Sequence, residues 1–328
     1  MMKKIIYVAF ITLFVLSCND NPKKKKTYLP SSSGPVNVIS IVIENELWDN
    51  EVGESIRSVF AAPLVGLPQE EPLFQMTQVP PSAFKDKATW TRSILKVIKG
   101  EGSNFELKEN VFAKPQSIFE VTANSNEELI KIINDNADKM IDAFNKEEIK
   151  ERQYQFRKSL LNDVKMEENF GISINIPNMF RMARETEDFY WIRRSLKGYK
   201  TMDLMIYEVP LDAISAGDST VTDIVNIRNQ IIASNDMGED GMTMKVEEAY
   251  TPALFETIID NKKTYETKGI WVIRDDGALM SGPFINYAIE DKINKRFLIV
   301  DGYVYAPRLA KRSLVFDLEA IIKSIKIK

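Results

Sequence analysis

The stretch SNEELIKIINDNADKMIDAF, residues 125–144, carries the clearest secondary-structure signal in the chain. Ser125 and Glu128 have the spacing of a capping box, which satisfies free backbone N–H groups at the start of a helix. The residues that follow predict an amphipathic helix. Its apolar face consists of residues that recur at helical spacing: Leu129, Ile132, Ile133, Met140, Ile141 and Phe144.

The residues around this helix predict strands and further helices. The apolar run Val36–Glu44 predicts a buried strand, and Asn50–Phe60 has apolar residues on one helical face before Pro63 ends it. A more charged helix at Glu147–Leu161 either packs along one side of this region or bridges to the rest of the chain. Two more strands are predicted here, at Ser93–Ile98 and Ile118–Val121.

The pattern restarts after Asn162. Ile172, Ile174 and Ile176 alternate with polar residues up to Pro177, which predicts a strand. Thr220–Ala233 is predicted as an amphipathic helix and Leu314–Ile325 as a closing helix. Four more strands are predicted in this region, at Phe189–Arg193, Leu204–Val209, Gly269–Arg274 and Arg296–Val300.

These elements predict an α+β fold of two α/β halves, residues 36–161 and 162–328, each a mostly antiparallel sheet packed by helices. Both halves run strand, helix, strands and terminal helix. Both also place an aromatic-Ala-Pro element before the last helix, at Phe112–Pro115 and Tyr305–Pro307. Two explanations stay open: an internal duplication, or two unrelated halves that share turn residues.

The beginning of the chain has the pattern of an export signal. Lys3 and Lys4 precede an apolar run, and Val15-Leu16-Ser17-Cys18 resembles the lipobox of a bacterial lipoprotein, whose cysteine is diacylated and becomes the first mature residue. Ile5–Ser17 has 13 residues, which as a helix span about 20 Å, short of the ~30 Å hydrocarbon core. Residues 1–17 are therefore predicted as a signal peptide, with Cys18 as the lipidation site, rather than as a transmembrane helix.

A polar segment follows the predicted cleavage site. Residues 18–35 are rich in Lys, Pro and Ser and have few apolar residues to bury, which predicts a flexible tether. The dense basic run Lys23–Lys26 is either a solvated spacer or a contact for anionic lipid headgroups. Such a contact is worth ~1 kcal/mol per charge close to a membrane surface.

Composition excludes several kinds of site. The formal charge of −4 becomes −6 without residues 1–17, which hold two lysines and no acids, so no basic surface for nucleic acid is expected. The chain has no histidine, and Cys18 is its only cysteine. Histidine-dependent nucleophiles and histidine or thiolate metal centres are therefore excluded, and no cofactor or metal is expected.

Glycine, proline and aromatic residues near the end of the chain form the candidate binding surface. Glycine permits a close approach of the backbone, and aromatic side chains can line a groove. The alternative is that these residues form tight turns at the edges of a sheet. The candidate residues are Met280, Gly282, Pro283, Phe284, Tyr303 and Tyr305, with Lys311 and Arg312 as candidates for an anionic ligand.

Three acidic motifs have simpler explanations than catalysis or metal binding. Glu70 and Glu71 are neighbours on an extended loop, so their carboxylates point to opposite faces and are not expected to flank one bond. Asp275-Asp276-Gly277 has the signature of a hairpin turn. A calcium-loop pattern lacks an oxygen ligand at its third position, Gly238. That pattern consists of Asp236, Asp240, Gly241 and Glu247.

Several segments together resemble DUF4837, a family of Bacteroidota lipoproteins without an assigned activity. The resemblance implies a cell-envelope location and nothing catalytic. The chain has Met280-Ser281-Gly282 where Met-Gly-Gly is expected. The second half is also loosely similar to the Mog1/PsbP-like α/β/α sandwich. The segments that carry the family resemblance are Gly66–Pro72, Ala113–Gln116, Gly269–Trp271, Gly282–Phe284, Tyr305–Pro307 and Lys311-Arg312.

The sequence therefore predicts a lipid-anchored envelope protein of unknown function, a non-catalytic binding or structural module with an envelope protein as partner. Asn19-Asp20-Asn21 follows the predicted anchor instead of the acidic cluster associated with surface export, which favours a periplasm-facing position at the outer membrane. The alternative is a hydrolase of envelope polysaccharide. It requires two carboxylates about 5–10 Å apart across an open cleft.

Overall fold

The structure is a computed structural model, and it describes residues 28–161, 165–235, 237, 243–275 and 278–328. The predicted signal peptide, the predicted lipidation site Cys18 and the Lys23–Lys26 run lie outside the described residues. In the part of the chain that the structure describes, no helix is long and apolar enough to cross a membrane.

The first half is a five-stranded sheet with three main helices. Its strands lie in the order β2-β1-β3-β5-β4. The pairs β1–β2, β1–β3 and β3–β5 are parallel, and β4–β5 is antiparallel. The elements are β1 Val38–Val42, α1 Asn45–Trp48, α2 Glu51–Phe60, β2 Gln75–Val79, β3 Ser93–Lys99, β4 Asn104–Glu109, β5 Ser117–Ala123, α3 Asn126–Asp135 and α4 Ala137–Phe156.

The α+β class is confirmed, but the mostly antiparallel sheet predicted for the first half is wrong. The segment α1–α2 carries the chain from the end of β1 back to the start of β2, and such a crossover produces parallel neighbours. The connection from β2 to β3 contains only short 3₁₀ turns. It therefore gives no helical signal in the sequence, although it too returns the chain to the starting edge of the sheet.

The core of the first half lies between one face of this sheet and α2, α3 and α4. Ile39, Leu95 and Phe119 alternate with residues of the opposite face, and Phe60 and Phe144 pack on them from the helices. The Ser125 hydroxyl accepts a hydrogen bond from the Glu128 N–H at 3.2 Å, as the capping box predicts. The predicted helix is divided at Asn136, where α3 ends and α4 begins.

The second half is built on an eight-stranded sheet, β10-β12-β13-β14-β9-β8-β7, with β11 also paired to β12. Its described pairs are antiparallel, as predicted. The elements are α5 Lys165–Phe170, β6 Ile172–Ser173, β7 Arg181–Glu185, β8 Phe189–Leu196, β9 Lys200–Pro210, α6 Thr220–Ser234, β10 Lys245–Val246, β11 Ala253–Ile259, β12 Lys262–Asp275, β13 Ala278–Asp291, β14 Arg296–Tyr305, α7 Arg312–Ile322 and β15 Lys326–Ile327.

Both faces of this sheet are covered. Leu204, Ile285 and Val300 pack with Leu318 and Ile321 of α7 on one face. Met205, Phe284 and the α6 residues Ile224 and Ile232 pack on the other. One sheet is mainly parallel and the other antiparallel, so the internal duplication is wrong and the halves are unrelated in topology.

Part of the segment predicted as a flexible tether is fixed in the structure. The Lys114 N–H donates to the Pro30 carbonyl at 2.9 Å, the Ser32 N–H to the Lys114 carbonyl at 3.1 Å, and the Ser33 N–H to the Trp90 carbonyl at 2.9 Å. Because Pro30–Ser33 is bonded to the first half, the prediction of flexibility is wrong for these residues.

The acidic motif at Asp275 lies in a hairpin, as predicted. Asp275 pairs with Ala278 across β12 and β13, and Asp276 and Gly277 lie outside the described residues. The calcium-loop residues Asp236, Asp240 and Gly241 also lie outside them. Glu247, which is described, forms an ion pair with Arg274.

Candidate functional site

The predicted binding surface at Met280–Phe284 and Tyr303–Tyr305 lies mostly inside the second half, so that prediction is wrong. A Cβ atom added to Gly282 would lie 1.9 Å from the Val304 carbonyl oxygen and 3.0 Å from Trp271 Nε1. Phe284 and Tyr303 are buried, and Met280 and Tyr305 are half-buried beside Trp271. These residues pack strands together, and the glycine is required because the neighbouring backbone fills the position of a side chain.

Lys311 and Arg312 are also buried, because a loop of the first half covers them. This loop, Gly66–Pro72, contains the two neighbouring glutamates. The Glu71 carboxylate accepts hydrogen bonds from the N–H groups of Lys311, at 2.6 Å, and Arg312, at 3.0 Å. The Arg312 guanidinium donates to the Pro72 carbonyl at 2.8 Å. Glu71 thus caps the N-terminus of α7, where the helix dipole favours a negative charge.

We call the contact between the two halves the seam, made by Gly66–Pro72 and α4 on one side and by α7, Lys268–Gly269 and Pro283–Phe284 on the other. At Gly66, φ is +88° and an added Cβ would lie 2.9 Å from Cβ of Lys268. Most of the segments that carry the family resemblance therefore meet here. The spacing of these segments in the sequence indicates only separate turns.

Helix α4 is part of both hydrophobic cores. Met140 and Phe144 belong to the core of the first half, and Phe156 belongs to that of the second. Between these positions, Arg152 Nε and Nη2 donate to the two Asp317 carboxylate oxygens of α7 at 2.6 and 2.7 Å. The Asp317 hydrogen bond, together with its charge, raises the pKa of Arg152 despite burial. Of the two roles predicted for the charged helix at Glu147–Leu161, packing along one side or bridging to the rest of the chain, bridging is therefore correct.

A small cavity of about 80 Å³ lies within the seam. Asn37, Lys268, Arg312 and Glu319 line it, together with apolar residues from both halves. Asn37 Oδ1 and Arg312 Nε are buried and have no hydrogen-bond partner within the described chain. The volume suits a few water molecules and is well below the several hundred Å³ typical of ligand pockets. The cavity is therefore suited to water between the two halves rather than to an organic ligand.

The carboxylate of Glu71 allows a direct test of the seam. Replacing Glu71 with alanine should lower the free energy of unfolding by about 1–2 kcal/mol, the cost of losing a helix cap and its dipole interaction. Chemical denaturation measures this change. Glu70→Ala is the matched control, since Glu70 is exposed in the same loop. Equal effects of the two substitutions would contradict the capping role.

A buried polar network lies beneath α6 and was missed by sequence reasoning. Arg228 Nε donates to Asp301 Oδ2 at 2.9 Å, and all of both side chains is buried. Asn286 donates to the same oxygen at 2.9 Å, and the guanidinium lies 4.3 Å from the Phe284 ring centre. Burial raises the pKa of Asp301 and that of the adjacent Tyr207 hydroxyl. The signal in the sequence was Arg228, a charge on the apolar face of a predicted helix.

A second buried carboxylate occupies the neighbouring strand. Asp203 accepts hydrogen bonds from Trp191 Nε1 at 2.8 Å and from Arg193 Nε at 2.7 Å. Burial raises its pKa, although Arg193 acts in the opposite direction. Asp203 and Asp301 are thus each held by an arginine inside the domain, an arrangement suited to fixing the sheet and helix rather than to contacting a substrate.

The fold and the seam define the chain as a two-domain α+β protein. Its halves are held together by the Glu71 cap on α7 and by the ion pair between Arg152 and Asp317. The family model of DUF4837, a domain of unknown function, matches residues 159–324. That of DUF8532, also a domain of unknown function, matches residues 32–157. The chain belongs to the DUF4837 family, as its sequence predicts.

Solved structures show only slight likeness to the chain, and each of three matches covers 48% of it. The Ran-binding protein Mog1p of Saccharomyces cerevisiae is 7% identical, with a TM-score of 0.31 over 89% of that chain. A mutant of protein Mog1 is 6% identical, with a TM-score of 0.30 over 90% of its chain. A protein of Bacteroides thetaiotaomicron VPI-5482 is 10% identical, with a TM-score of 0.19 over 45% of its chain. No curated protein matches the chain significantly.

Proposed function

We propose that the protein is a lipid-anchored component of the cell envelope that faces the periplasm and acts as a non-catalytic binding or structural module. The lipobox at Cys18 and the preceding signal pattern support the anchor. The buried charges support a non-catalytic role, because Asp203, Asp301 and Glu71 each hold structural donors. The hydrolase alternative needs two carboxylates facing each other across an open cleft, and none of these three meets that requirement.

The observation that carries this proposal is the surface where the described chain begins. We call it the N-terminal face; it surrounds the fixed segment Pro30–Ser33. A crevice of about 490 Å³ there is lined by Ser31, Lys114, Tyr154 and Lys158, among others. Tyr28 is 89% exposed and Tyr154 55% exposed, and Phe112, next but one to Lys114, is 40% exposed. Aromatic side chains and lysines side by side are typical of surfaces that lie at a membrane interface.

The fixed segment also shortens the spacer between the predicted anchor and the body. Eleven residues, 19–29, remain for the predicted tether, and as a flexible chain they would reach roughly 17–20 Å. A body held so closely brings the N-terminal face near the headgroups. The lysines at 23–26 add four positive charges directly before that face.

Mass spectrometry of the native protein tests the anchor. The N-terminal peptide should begin at Cys18 and carry a diacylglyceryl group, and Cys18→Ala should abolish that mass and membrane retention. An intact leader or a bare thiol on the native protein would contradict the proposal.

Hydrogen exchange tests the N-terminal face separately. In the native protein reconstituted into vesicles, residues 110–115 and 154–160 should be protected when anionic phosphatidylglycerol is present, and less so in phosphatidylcholine alone. Lys114→Glu with Lys158→Glu should remove the difference, because charge reversal repels the headgroups. Lys292→Glu with Lys295→Glu, in the exposed β13–β14 turn, is the matched control. Protection that is the same in both lipids would exclude this face.

A further inference from the structure

The first half contains a second crevice, at the carboxyl edge of its parallel strands. It has a volume of about 420 Å³. Strand β1 leads to β2 on one side, whereas β3, its other neighbour, leads toward β5 on the opposite side. The chain therefore leaves the sheet in two directions between β1 and β3. In open α/β sheets, ligands bind in the crevice at such a switch point.

The floor of this crevice is apolar and its rim is polar. The buried residues Val42, Leu47 and Val97 form the floor, Ile98 is half-buried beside them, and the exposed Pro81 also lines the crevice. The rim residues come from five elements that meet at this edge: the ends of β1 and β3, the short helix α1, and the starts of α2 and α3. They are Glu44, Glu46, Asn50, Lys96, Lys99 and Asn126.

The lysines of the rim already have partners. Lys96 Nζ lies 3.0 Å from a Glu120 oxygen outside the crevice, and Lys99 Nζ donates to Asn126 Oδ1 at 3.0 Å. Asn126 in turn donates to Glu51 at 3.0 Å. Lys96 is therefore paired with a carboxylate, and Lys99 is held by a neutral amide.

The acceptors of the rim are free. The carboxylates of Glu44 and Glu46 are exposed and have no ion-pair or hydrogen-bond partner among residues 28–161 or the other described stretches. The Asn50 amide donates to the Glu46 carbonyl at 2.7 Å, which leaves its own oxygen as a further acceptor. A primary ammonium group has three donors and no acceptor, and so complements such a set.

We propose that this crevice binds a small ligand with a primary ammonium group and a short apolar chain. The ammonium group pairs with Glu44 and Glu46, and the chain lies on the floor between Leu47 and Val97. A lysine-type side chain of a peptide and an ethanolamine headgroup both have this chemistry. The site deepens the proposed binding role and rests on it, but it does not depend on the lipid anchor.

Saturation-transfer NMR on the detergent-solubilised full-length protein tests the site with two probes, Nα-acetyl-lysine methylamide and O-phosphoethanolamine. At least one should bind saturably, and the one that does identifies the source of the amine. Acetylation of the probe's ammonium group should weaken binding at least tenfold. The double variant Glu44→Gln/Glu46→Gln should do the same, whereas Glu187→Gln, an exposed carboxylate of the second half, should have no effect.

The outcomes separate this inference from the proposed function. Binding of neither amine, equal binding of the acetylated probe, or unchanged binding by the double variant would overturn the amine site. Each of these results leaves the mass-spectrometric test of the anchor untouched. Circular dichroism checks that the double variant is folded, which is expected because both carboxylates are exposed.

Discussion

Replacing Arg228 with methionine should lower the free energy of unfolding by about 3–5 kcal/mol at neutral pH. The substitution leaves Asp301 fully buried with only Asn286 as a hydrogen-bond donor. A buried carboxylate without its counterion is costly, because the surrounding protein replaces little of the hydration that it loses. Chemical denaturation followed by tryptophan fluorescence measures the loss, since Trp271 is buried in the same core.

The pH dependence of this loss identifies the charge as its cause. Burial raises the pKa of Asp301 above its ordinary value of 3.8, so protonation favours the folded state. This contribution is fully present below the pKa of the unfolded chain and is lost as pH rises through the folded pKa. Arg228 lowers the pKa of Asp301, so its removal raises that pKa further. The variant's deficit should therefore shrink as the pH falls from 7 through the pKa that Asp301 has in the variant. The double variant Arg228→Met/Asp301→Asn should recover part of the stability, and a deficit independent of pH would contradict this explanation.

Replacing Glu148 with alanine should have an effect of the same size in the first half, about 3–5 kcal/mol. Arg92 Nε and Nη2 each donate to a Glu148 oxygen at 3.0 Å, and both residues are buried. Burial raises the pKa of Glu148, although Arg92 acts in the opposite direction. Without the carboxylate, the guanidinium keeps only weak contacts with the carbonyls of Gly34 and Pro35, at 3.3 and 3.4 Å.

The Glu148→Ala substitution should also destabilise the start of the described chain. Because Arg92 joins Gly34 and Pro35 to α4, the amides of residues 32–37 should exchange faster in Glu148→Ala than in the native protein. Asp135→Ala is the matched control, since its ion pair with Lys131 is exposed and should contribute little to stability. Recovery of stability in the double variant Arg92→Met/Glu148→Leu would support the unpaired charge as the cause. Unchanged exchange at residues 32–37 would exclude the proposed link.

Local patterns predicted most elements but not how they pair. The capping box at Ser125 and the hairpin at Asp275 follow from signals within a few residues of one another. The parallel first sheet does not, because β2 and β3 are joined by a segment without helical periodicity. The strand predicted from Ile172 to Ile176 shortens to β6, Ile172–Ser173, and Pro177 instead forms a bridge with Leu160.

The binding surface predicted from the sequence was wrong for a related reason. Glycine and aromatic residues at Gly282 and Phe284 have the composition of a binding groove, but the same composition permits close packing of strands. Which of the two occurs depends on the backbone of Val304, which fills the space beside Gly282. Whether a side chain is exposed, and so able to bind a ligand, depends on its neighbours in the tertiary structure. The periodicity of the sequence does not reveal these neighbours.

The sequence by itself determined the α+β class and the absence of histidine and thiol side chains from residues 19–328, and it predicts an export signal at residues 1–17. The tertiary structure alone decided which charges are buried together and what joins the halves. Glu71 and Lys311 are 240 residues apart, and Arg228 and Asp301 are 73 apart. Periodicity reports whether a side chain faces a core over a few turns or strands. The topology of the fold determines which counterion a buried charge has, because it brings residues that are distant in the sequence within hydrogen-bond distance.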